Sequence, residues 1–203
     1  MKSLFPLITA VGLTACGGSV ETAPAEVNSG FIANLPTFSG DHVWDMDASQ
    51  STLTFNADHN GIFTGNFSRF AAAIRLNPQD PSGGKIHAIV DLSSVDAGTR
   101  DRNDNLPLPE WFNIAEFPTA SFVSDAITPG ESSYSARGTL TIKDNSNPAT
   151  LSFTLDVDGN VARAKGGLTL DRRDYEIGTG SDFQTGEWVG FPVDVNLDII
   201  ATR

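Results

Sequence analysis

The sequence predicts an all-β domain, most simply an extended antiparallel barrel of about eight strands with a short helix or loop capping one end. Three observations predict it. Apolar and polar residues alternate with a period of two in about seven segments after Trp44. Glycine, proline, asparagine and aspartate separate these segments. Several segments reach roughly ten residues, which favours a tall barrel over a sandwich because closure hides the strand edges.

The alternation can be followed from strand to strand. The apolar faces are, in chain order, Leu53, Phe55, Ala57; Phe63, Gly65, Phe67; Phe70, Ala72, Ile74, Leu76; Ile86, Ala88, Val90, Leu92; Tyr134, Ala136, Gly138, Leu140, Ile142; Leu151, Phe153, Leu155, Val157; and Val189, Phe191, Val193, Val195, Leu197, Ile199. The phase changes once, which predicts a bulge or sharp bend near Ser68-Arg69. Asp158-Gly159 predicts a hairpin turn. Residues 101–117 break the alternation and predict a loop with one short helix that closes an end of the barrel.

The amino terminus predicts export. Lys2 precedes an apolar run over residues 4–13, which is too short to span a bilayer and is typical of a cleaved signal peptide. The only cysteine of the chain follows in Leu13-Thr14-Ala15-Cys16, which resembles a bacterial lipobox. That resemblance implies cleavage after residue 15 and lipid attachment at Cys16, and Gly17 in place of aspartate implies sorting to the outer membrane. We therefore expect a periplasmic lipoprotein anchored in the outer membrane; the alternative is a soluble exported protein with an unpaired thiol.

Composition divides the mature chain into a tether and one domain. Residues 16–42 are rich in Gly, Ser, Ala, Thr, Pro, Glu and Asn and predict a flexible tether. Residues 43–203 contain no further composition shift and predict a single domain. The formal net charge of −12 makes the chain a poor nucleic-acid binder, and it indicates that membrane contact comes from the anchor rather than from charge attraction.

The sequence lacks motifs for catalysis or for a resident cofactor. The three histidines have no paired metal-ligand spacing, and the sole cysteine lies at the predicted anchor. Asp101-x-Asn103-x-Asn105 mimics a calcium loop, but Leu106 stands where that loop needs glycine. No nucleophile elbow, phosphate loop or dinucleotide fingerprint is present in the sequence. We therefore expect no enzyme activity, no cofactor and no metal.

The predicted inward face carries many of the 13 phenylalanines, with glycine and alanine between them and almost no charge. Such mixing of large and small residues packs a solid core, or it lines an elongated apolar slot with gaps between the rings. The pattern alone leaves both arrangements open.

An ordered series of motifs runs through residues 43–203. The first are Trp44-Asp45-Met46-Asp47, Ser51-Thr52-Leu53-Thr54-Phe55, His59-Asn60-Gly61 and Thr64-Gly65-Asn66-Phe67. The later ones are Val90-Asp91-Leu92-Ser93-Ser94-Val95, Arg100-Asp101, Leu106, Trp111-Phe112, Phe117-Pro118-Thr119-Ala120-Ser121-Phe122, Gly138-Thr139-Leu140-Thr141-Ile142-Lys143, Asp171-Arg172-Arg173-Asp174-Tyr175 and the strand from Val193 to Ile200. Each motif is loose by itself, but in this order they resemble a YceI-like domain.

This resemblance implies an extended lipocalin-like barrel whose interior holds a long apolar chain such as a polyisoprenoid, an isoprenoid quinone or a fatty amide. We accordingly predict a membrane-anchored protein that carries or stores this lipid and binds it by removing its chain from water. The predicted cavity lining is Phe55, Phe63, Phe67, Phe122, Phe153 and Phe191, with Trp111 and Phe112 near the mouth. His59, Arg100 and Arg173 are candidate partners of the lipid headgroup.

Two other functions remain as alternatives. A barrel with a filled interior would act as an interaction or envelope-stress module. An enzyme acting on a lipid headgroup is less favoured because the sequence offers no nucleophile–base set. The residues also leave open which lipid is bound, whether the barrel is hollow and whether two copies form a homodimer.

Overall fold

A continuous antiparallel sheet of 11 strands forms the protein in the computed structural model, which describes residues 29–203. The predicted signal peptide, residues 1–15, lies outside the described residues. So do the predicted lipid attachment site Cys16 and the first part of the predicted tether.

The strands and helices are short to medium in length. The strands are β1 Val43–Met46, β2 Thr52–Asp58, β3 Ile62–Phe67, β4 Phe70–Arg75, β5 Lys85–Asp91, β6 Val95–Asp96, β7 Thr119–Pro129, β8 Tyr134–Ile142, β9 Asn145–Asp158, β10 Val161–Asp171 and β11 Pro192–Thr202. The α-helices are α1 Ser29–Ile32 and α2 Arg100–Asn105, and 3-10 turns cover Pro81–Gly83, Leu92–Ser94, Arg172–Tyr175 and Ser181–Phe183. Among the described residues, none of these helices has the length and apolar character needed to cross a bilayer.

The sheet closes through β1. This strand pairs with β11, where Asp45 lies opposite Thr202, and with β4, where Trp44 lies opposite Ile74. Strand β2 pairs with the other half of β11 and then with β3, so β1 and β2 together act as one bent barrel strand. Counting β1/β2, β3/β4 and β5/β6 as bent strands gives the barrel eight strands. The predicted all-β antiparallel barrel of about eight strands is confirmed.

The bend expected near Ser68-Arg69 separates β3 from β4. Strand β3 ends at Phe67 and β4 begins at Phe70, and both rings border the barrel interior. Two residues separate these inward rings, one more than regular alternation has, and this one extra residue explains why the alternation changes phase in the sequence. The backbone N–H groups of Ser68 and Arg69 donate to the carbonyl and hydroxyl of Ser94, so the bend is held by the turn that follows β5.

Asp91 is the buried carboxylate of this bend. It accepts hydrogen bonds from the backbone and hydroxyl of Ser93 and from Nε of Arg69, at 2.6 to 2.9 Å. Burial alone would raise the pKa of this carboxyl, but the hydrogen bonds from Ser93 and Arg69 and the charge of Arg69 outweigh it. The net effect holds the pKa of Asp91 below its ordinary value.

Asp91 is therefore expected to contribute to acid sensitivity. Because its pKa is lower in the folded state than in the unfolded state, its stabilisation is complete above about pH 4 and is lost as the pH falls further. Asp91→Asn should lower the free energy of unfolding at pH 7 by about 1–2 kcal/mol and flatten the loss of stability in acid. Urea unfolding between pH 3 and 7 measures both effects. Asp104→Asn, in an exposed pair with Arg100, is the control; an unchanged acid profile in Asp91→Asn would contradict this role.

The structure refines two predictions about the segments between strands, the hairpin at Asp158-Gly159 and the cap. Asp158 pairs with Val161, so the hairpin loop consists of Gly159 and Asn160 rather than Asp158-Gly159. Gly159 has a φ of +59°, a conformation that glycine adopts without strain. The predicted cap over residues 101–117 contains one short helix, α2, which begins at Arg100, followed by turns.

The barrel end opposite α2 is closed by packed side chains. Trp44, Leu76 and Ala201 are each 3% exposed, and the indole N–H of Trp44 donates to the Leu76 carbonyl at 2.9 Å. The guanidinium of Arg203 lies 4.6 Å from the centre of the Trp44 ring on this end. The cap end is therefore the candidate route into the barrel.

Candidate ligand cavity

The barrel interior contains a cavity of about 470 Å³. This volume lies within the range of roughly 300–1,000 Å³ that is common for small-molecule sites. Its wall is almost entirely apolar, with side chains from the barrel strands and from the cap. Of the two arrangements that the sequence left open, the structure contains the apolar slot.

Aromatic rings form much of the wall near the cap. The ring centres of Phe55 and Phe67 are 5.6 Å apart, those of Phe55 and Phe63 are 6.0 Å apart, and Phe67 lies 6.1 Å from Phe112. Seven of the eight predicted lining residues border the cavity: Phe55, Phe63, Phe67, Trp111, Phe112, Phe122 and Phe153. Whether they contact a ligand stays a prediction.

Phe191 lies elsewhere, in contrast to the prediction. It immediately precedes β11, which begins at Pro192, so the alternation of that strand does not set its direction. Its ring centre lies 3.8 Å from the Arg173 guanidinium carbon, and the ring covers Gly186, where a Cβ would come within 2.9 Å. Phe191 therefore packs against the loop between β10 and β11 and is not among the described residues that border the cavity.

The small residues on the cavity wall are alanines rather than glycines. A Cβ at Gly65 would lie 2.3 Å from the ring of Phe55, its cross-strand partner, so this glycine makes room for an aromatic ring. Eight alanines border the cavity: Ala57, Ala71, Ala72, Ala88, Ala120, Ala162, Ala164 and Ala201.

Most polar side chains on the cavity wall lie at the cap end. They are His59, Asp101, Arg102, Asn105, Glu110 and Arg172, with Ser121 on β7 as the exception. Arg102 stacks on Phe63, with 3.9 Å between its guanidinium carbon and the ring centre. Its Nε faces Nδ1 of His59 at 3.5 Å, and its Nη1 donates to the carbonyl of Ala97 at 3.3 Å. Arg102 and His59 thus place a cation and an imidazole at the mouth.

The predicted headgroup arginines are not the ones that border the cavity. The side chain of Arg100 is 94% exposed and pairs with Asp104 along α2. Arg102 lies two residues further on this helix and points to the mouth, since successive helical residues turn by about 100°. Sequence reasoning missed Arg102 because a six-residue helix gives too little periodicity to fix its buried side.

Arg172 anchors the loop between β10 and β11. It is 2% exposed, and burial lowers the pKa of its guanidinium, with the neighbouring charge of Asp171 acting in the opposite direction. It donates to five backbone carbonyls, those of Ile177, Gly178, Phe183, Val189 and Gly190. Arg173, the predicted headgroup partner, instead forms an exposed ion pair with Asp171.

The described residues contain no group of three or more His, Cys, Asp or Glu side chains arranged to hold a metal ion.

A family model for the YceI-like domain matches residues 44–201. The chain belongs to the YceI-like family. The resemblance inferred from the ordered motifs is thereby confirmed. A UPF0312 protein of Yersinia enterocolitica is 26% identical over 118 residues, which cover 57% of this chain and 62% of that protein. A UPF0312 protein of Yersinia pestis is 27% identical over 124 residues and is covered to 65%. This chain thus spans less than two thirds of these curated relatives.

Solved structures match the barrel over most of the domain. BcnA of Burkholderia cenocepacia has a TM-score of 0.74 at 29% identity, with 78% of this YceI-like chain and 100% of BcnA covered. A polyisoprenoid binding domain from Saccharophagus degradans has a TM-score of 0.60 at 16% identity, with 78% and 97% covered. The YceI protein of Campylobacter jejuni has a TM-score of 0.59 at 19% identity, with 68% and 84% covered. The last two show a shared fold.

Proposed function

We propose that this YceI-like protein binds one long apolar lipid chain, such as a polyisoprenoid, an isoprenoid quinone or a fatty amide, inside the barrel and carries or stores it. The proposal rests on the distribution of polar side chains in the cavity. The part lined by the barrel strands is almost entirely apolar, and most polar side chains lie at the cap end. The fold likeness to a domain described as polyisoprenoid-binding also supports it.

Desolvation supplies the binding energy in this proposal. Each buried methylene contributes about 0.8 kcal/mol, from which the cost of ordering the flexible chain is subtracted. A lipid chain with many methylene groups therefore needs no hydrogen bonds to the apolar part of the cavity wall. The cavity wall meets this requirement because its side chains along the strands are aliphatic or aromatic.

The polar end of the lipid would lie at the mouth beside Arg102 and His59. The side chain of Arg102 makes two hydrogen-bonding contacts, from Nε and Nη1, and its Nη2 makes none with the described residues. A headgroup with a hydrogen-bond acceptor, such as a quinone or amide carbonyl, suits this donor. The carboxylates of Asp101 and Glu110 also border the mouth and disfavour a headgroup with several negative charges.

The proposal also includes the cellular setting. A lipid anchor at Cys16 would hold the exported barrel in the periplasm, at the outer membrane. The lipid would then be taken up and delivered close to the membrane in which it dissolves.

Extraction of the purified full chain tests the proposal. Protein isolated from its native membrane is treated with organic solvent, and the extract is analysed by mass spectrometry. We expect one recurrent long-chain lipid at about one molecule per barrel. An extract without such a lipid would instead favour a barrel that acts as an interaction module.

Arg102→Met tests the headgroup site. Losing a charge-assisted hydrogen bond should weaken binding of an isoprenoid quinone about tenfold, whereas squalene, which has no polar group, should bind as before. Competition against a fluorescent long-chain probe measures both affinities. Arg100→Met is the matched control on the same helix, and equal weakening for both lipids would contradict the proposed contact.

A further inference from the structure

The most exposed large apolar side chains lie at the cap end of the barrel. Five such side chains are exposed in the described part of the chain, and the three highest values are 74% for Ile62, 54% for Trp188 and 48% for Leu108. Ile32 and Val123 are less exposed, at 38% and 40%. We use the name rim for the three most exposed of these side chains, Ile62, Leu108 and Trp188.

Each rim residue is tied to the cavity mouth. Ile62 pairs with Asp58 at the start of β3, and the turn between them contains His59. Trp188 immediately precedes Val189, which bridges to His59 and borders the cavity. Leu108 lies between Leu106 and Glu110, which both border the cavity. Three separate loops therefore bring apolar side chains to the same end of the barrel.

Single exposed apolar residues are normal, but a group of them around the entrance to an apolar cavity indicates a binding surface. Tryptophan is the side chain most typical of the boundary between water and lipid, because its ring is apolar and its N–H is polar. A bilayer surface suits such a rim, since the rim side chains can enter the boundary layer while the mouth opens towards the lipid.

The charges of the mouth specify the kind of surface. Exposed carboxylates lie on the rim loops and on the neighbouring helix α2: Asp58, Asp101, Asp104, Glu110 and Glu187. Arg100 and Arg102 are the basic residues of α2, and Arg100 is paired with Asp104. Excess negative charge disfavours a surface of anionic phospholipid and also the approach of a second identical rim. The occupant that fits is a bilayer of zwitterionic phospholipid.

The predicted anchor permits this orientation. The chain enters β1 at the closed end of the barrel, and β9, the longest strand with 14 residues, gives a barrel height of about 35 Å when its length of about 46 Å is tilted by about 40°. Cys16 precedes Ser29 by 13 residues, and a chain of that length reaches up to roughly 40 Å. An anchored barrel can therefore turn its mouth towards the membrane.

We propose that Ile62, Leu108 and Trp188 dock the mouth of the barrel on a zwitterionic phospholipid bilayer. This inference rests on the proposed function, since it supplies the route by which the lipid enters and leaves. The rim residues partition into the boundary layer, and the cavity then opens towards the lipid without an aqueous step.

Vesicle flotation tests the docking with the predicted mature chain, residues 16–203, carrying Cys16→Ser, which lacks both the predicted signal peptide and the predicted lipidation. Binding to phosphatidylcholine vesicles should fall at least about tenfold when Ile62, Leu108 and Trp188 are all changed to serine. Val123→Ser, at an exposed apolar site on β7, is the control and should bind as before. Thermal melting of each variant verifies that it is folded.

Three results would overturn the docking: no flotation of the Cys16→Ser chain, equal flotation of the rim variant, or tighter binding when phosphatidylglycerol is added. A dimer that forms without vesicles and needs the rim would also overturn it, in favour of a second copy as the occupant. Lipid extraction from the same preparations separates the two proposals. Bound lipid without flotation refutes only the docking, whereas rim-dependent flotation of barrels free of lipid refutes only the carrier function.

Discussion

Ala88→Trp is expected to reduce the lipid bound in the barrel by at least about tenfold. Ala88 lies on β5 between Ala72 and Phe122, and its side chain borders the void. An indole at this position would extend into the cavity and occupy space that the lipid chain needs. Mass spectrometry of solvent extracts, normalised to protein, measures the loss.

The adjacent position provides the control. His87→Trp adds a similar ring on the same strand, but its side chain points to the outer face of the barrel because side chains alternate along a strand. Its lipid content should match that of the unmodified protein. Ala164→Trp on β10 is a second variant that fills the cavity from another strand. A full lipid complement in both folded cavity variants would contradict binding inside the bore.

Arg172→Met is expected to cause the largest loss of stability, at least about 3 kcal/mol in the free energy of unfolding. The substitution keeps an apolar side chain in the wall but removes the guanidinium N–H groups that donate to five backbone carbonyls. Those carbonyls belong to the loop that links β10 with β11, so this loop should open first. Urea unfolding gives the global value, and amide hydrogen exchange locates the opening.

The neighbouring arginine is a matched control. Arg173→Met removes an exposed ion pair with Asp171, and its effect on stability should be small because water screens that pair. Arg172→Lys should restore little, since an ammonium has three donors and cannot reach carbonyls on several sides. A value for Arg172→Met close to that for Arg173→Met would contradict the anchoring role.

The barrel could be predicted because its signals are local. Alternation in a strand reports which side of the chain is buried, and the phase change at Ser68-Arg69 reports the bend between β3 and β4. Arg172 could also have been found, since it continues the inward phase of Leu168 and Leu170.

The details of the site depend on contacts that a single strand does not specify. Gly65 and Ala88 are both small inward residues opposite a phenylalanine, but the ring of Phe55 fills the space at Gly65 whereas Ala88 borders the cavity. Position 191 continues the alternation of β11 in the sequence, which predicts an inward ring. The strand itself begins only at Pro192, so the prediction is wrong for Phe191. Arg102 depends on the orientation of a helix with fewer than two turns.

The central claim is that the bore is hollow and holds a long apolar chain. A crystal structure of the full chain, purified from its native membrane without added lipid, tests it most directly. We predict continuous, elongated electron density along the barrel axis, in contact with Phe63 and Phe122 and ending beside Arg102. A bore filled by rearranged side chains, or one containing only ordered water, would contradict the claim.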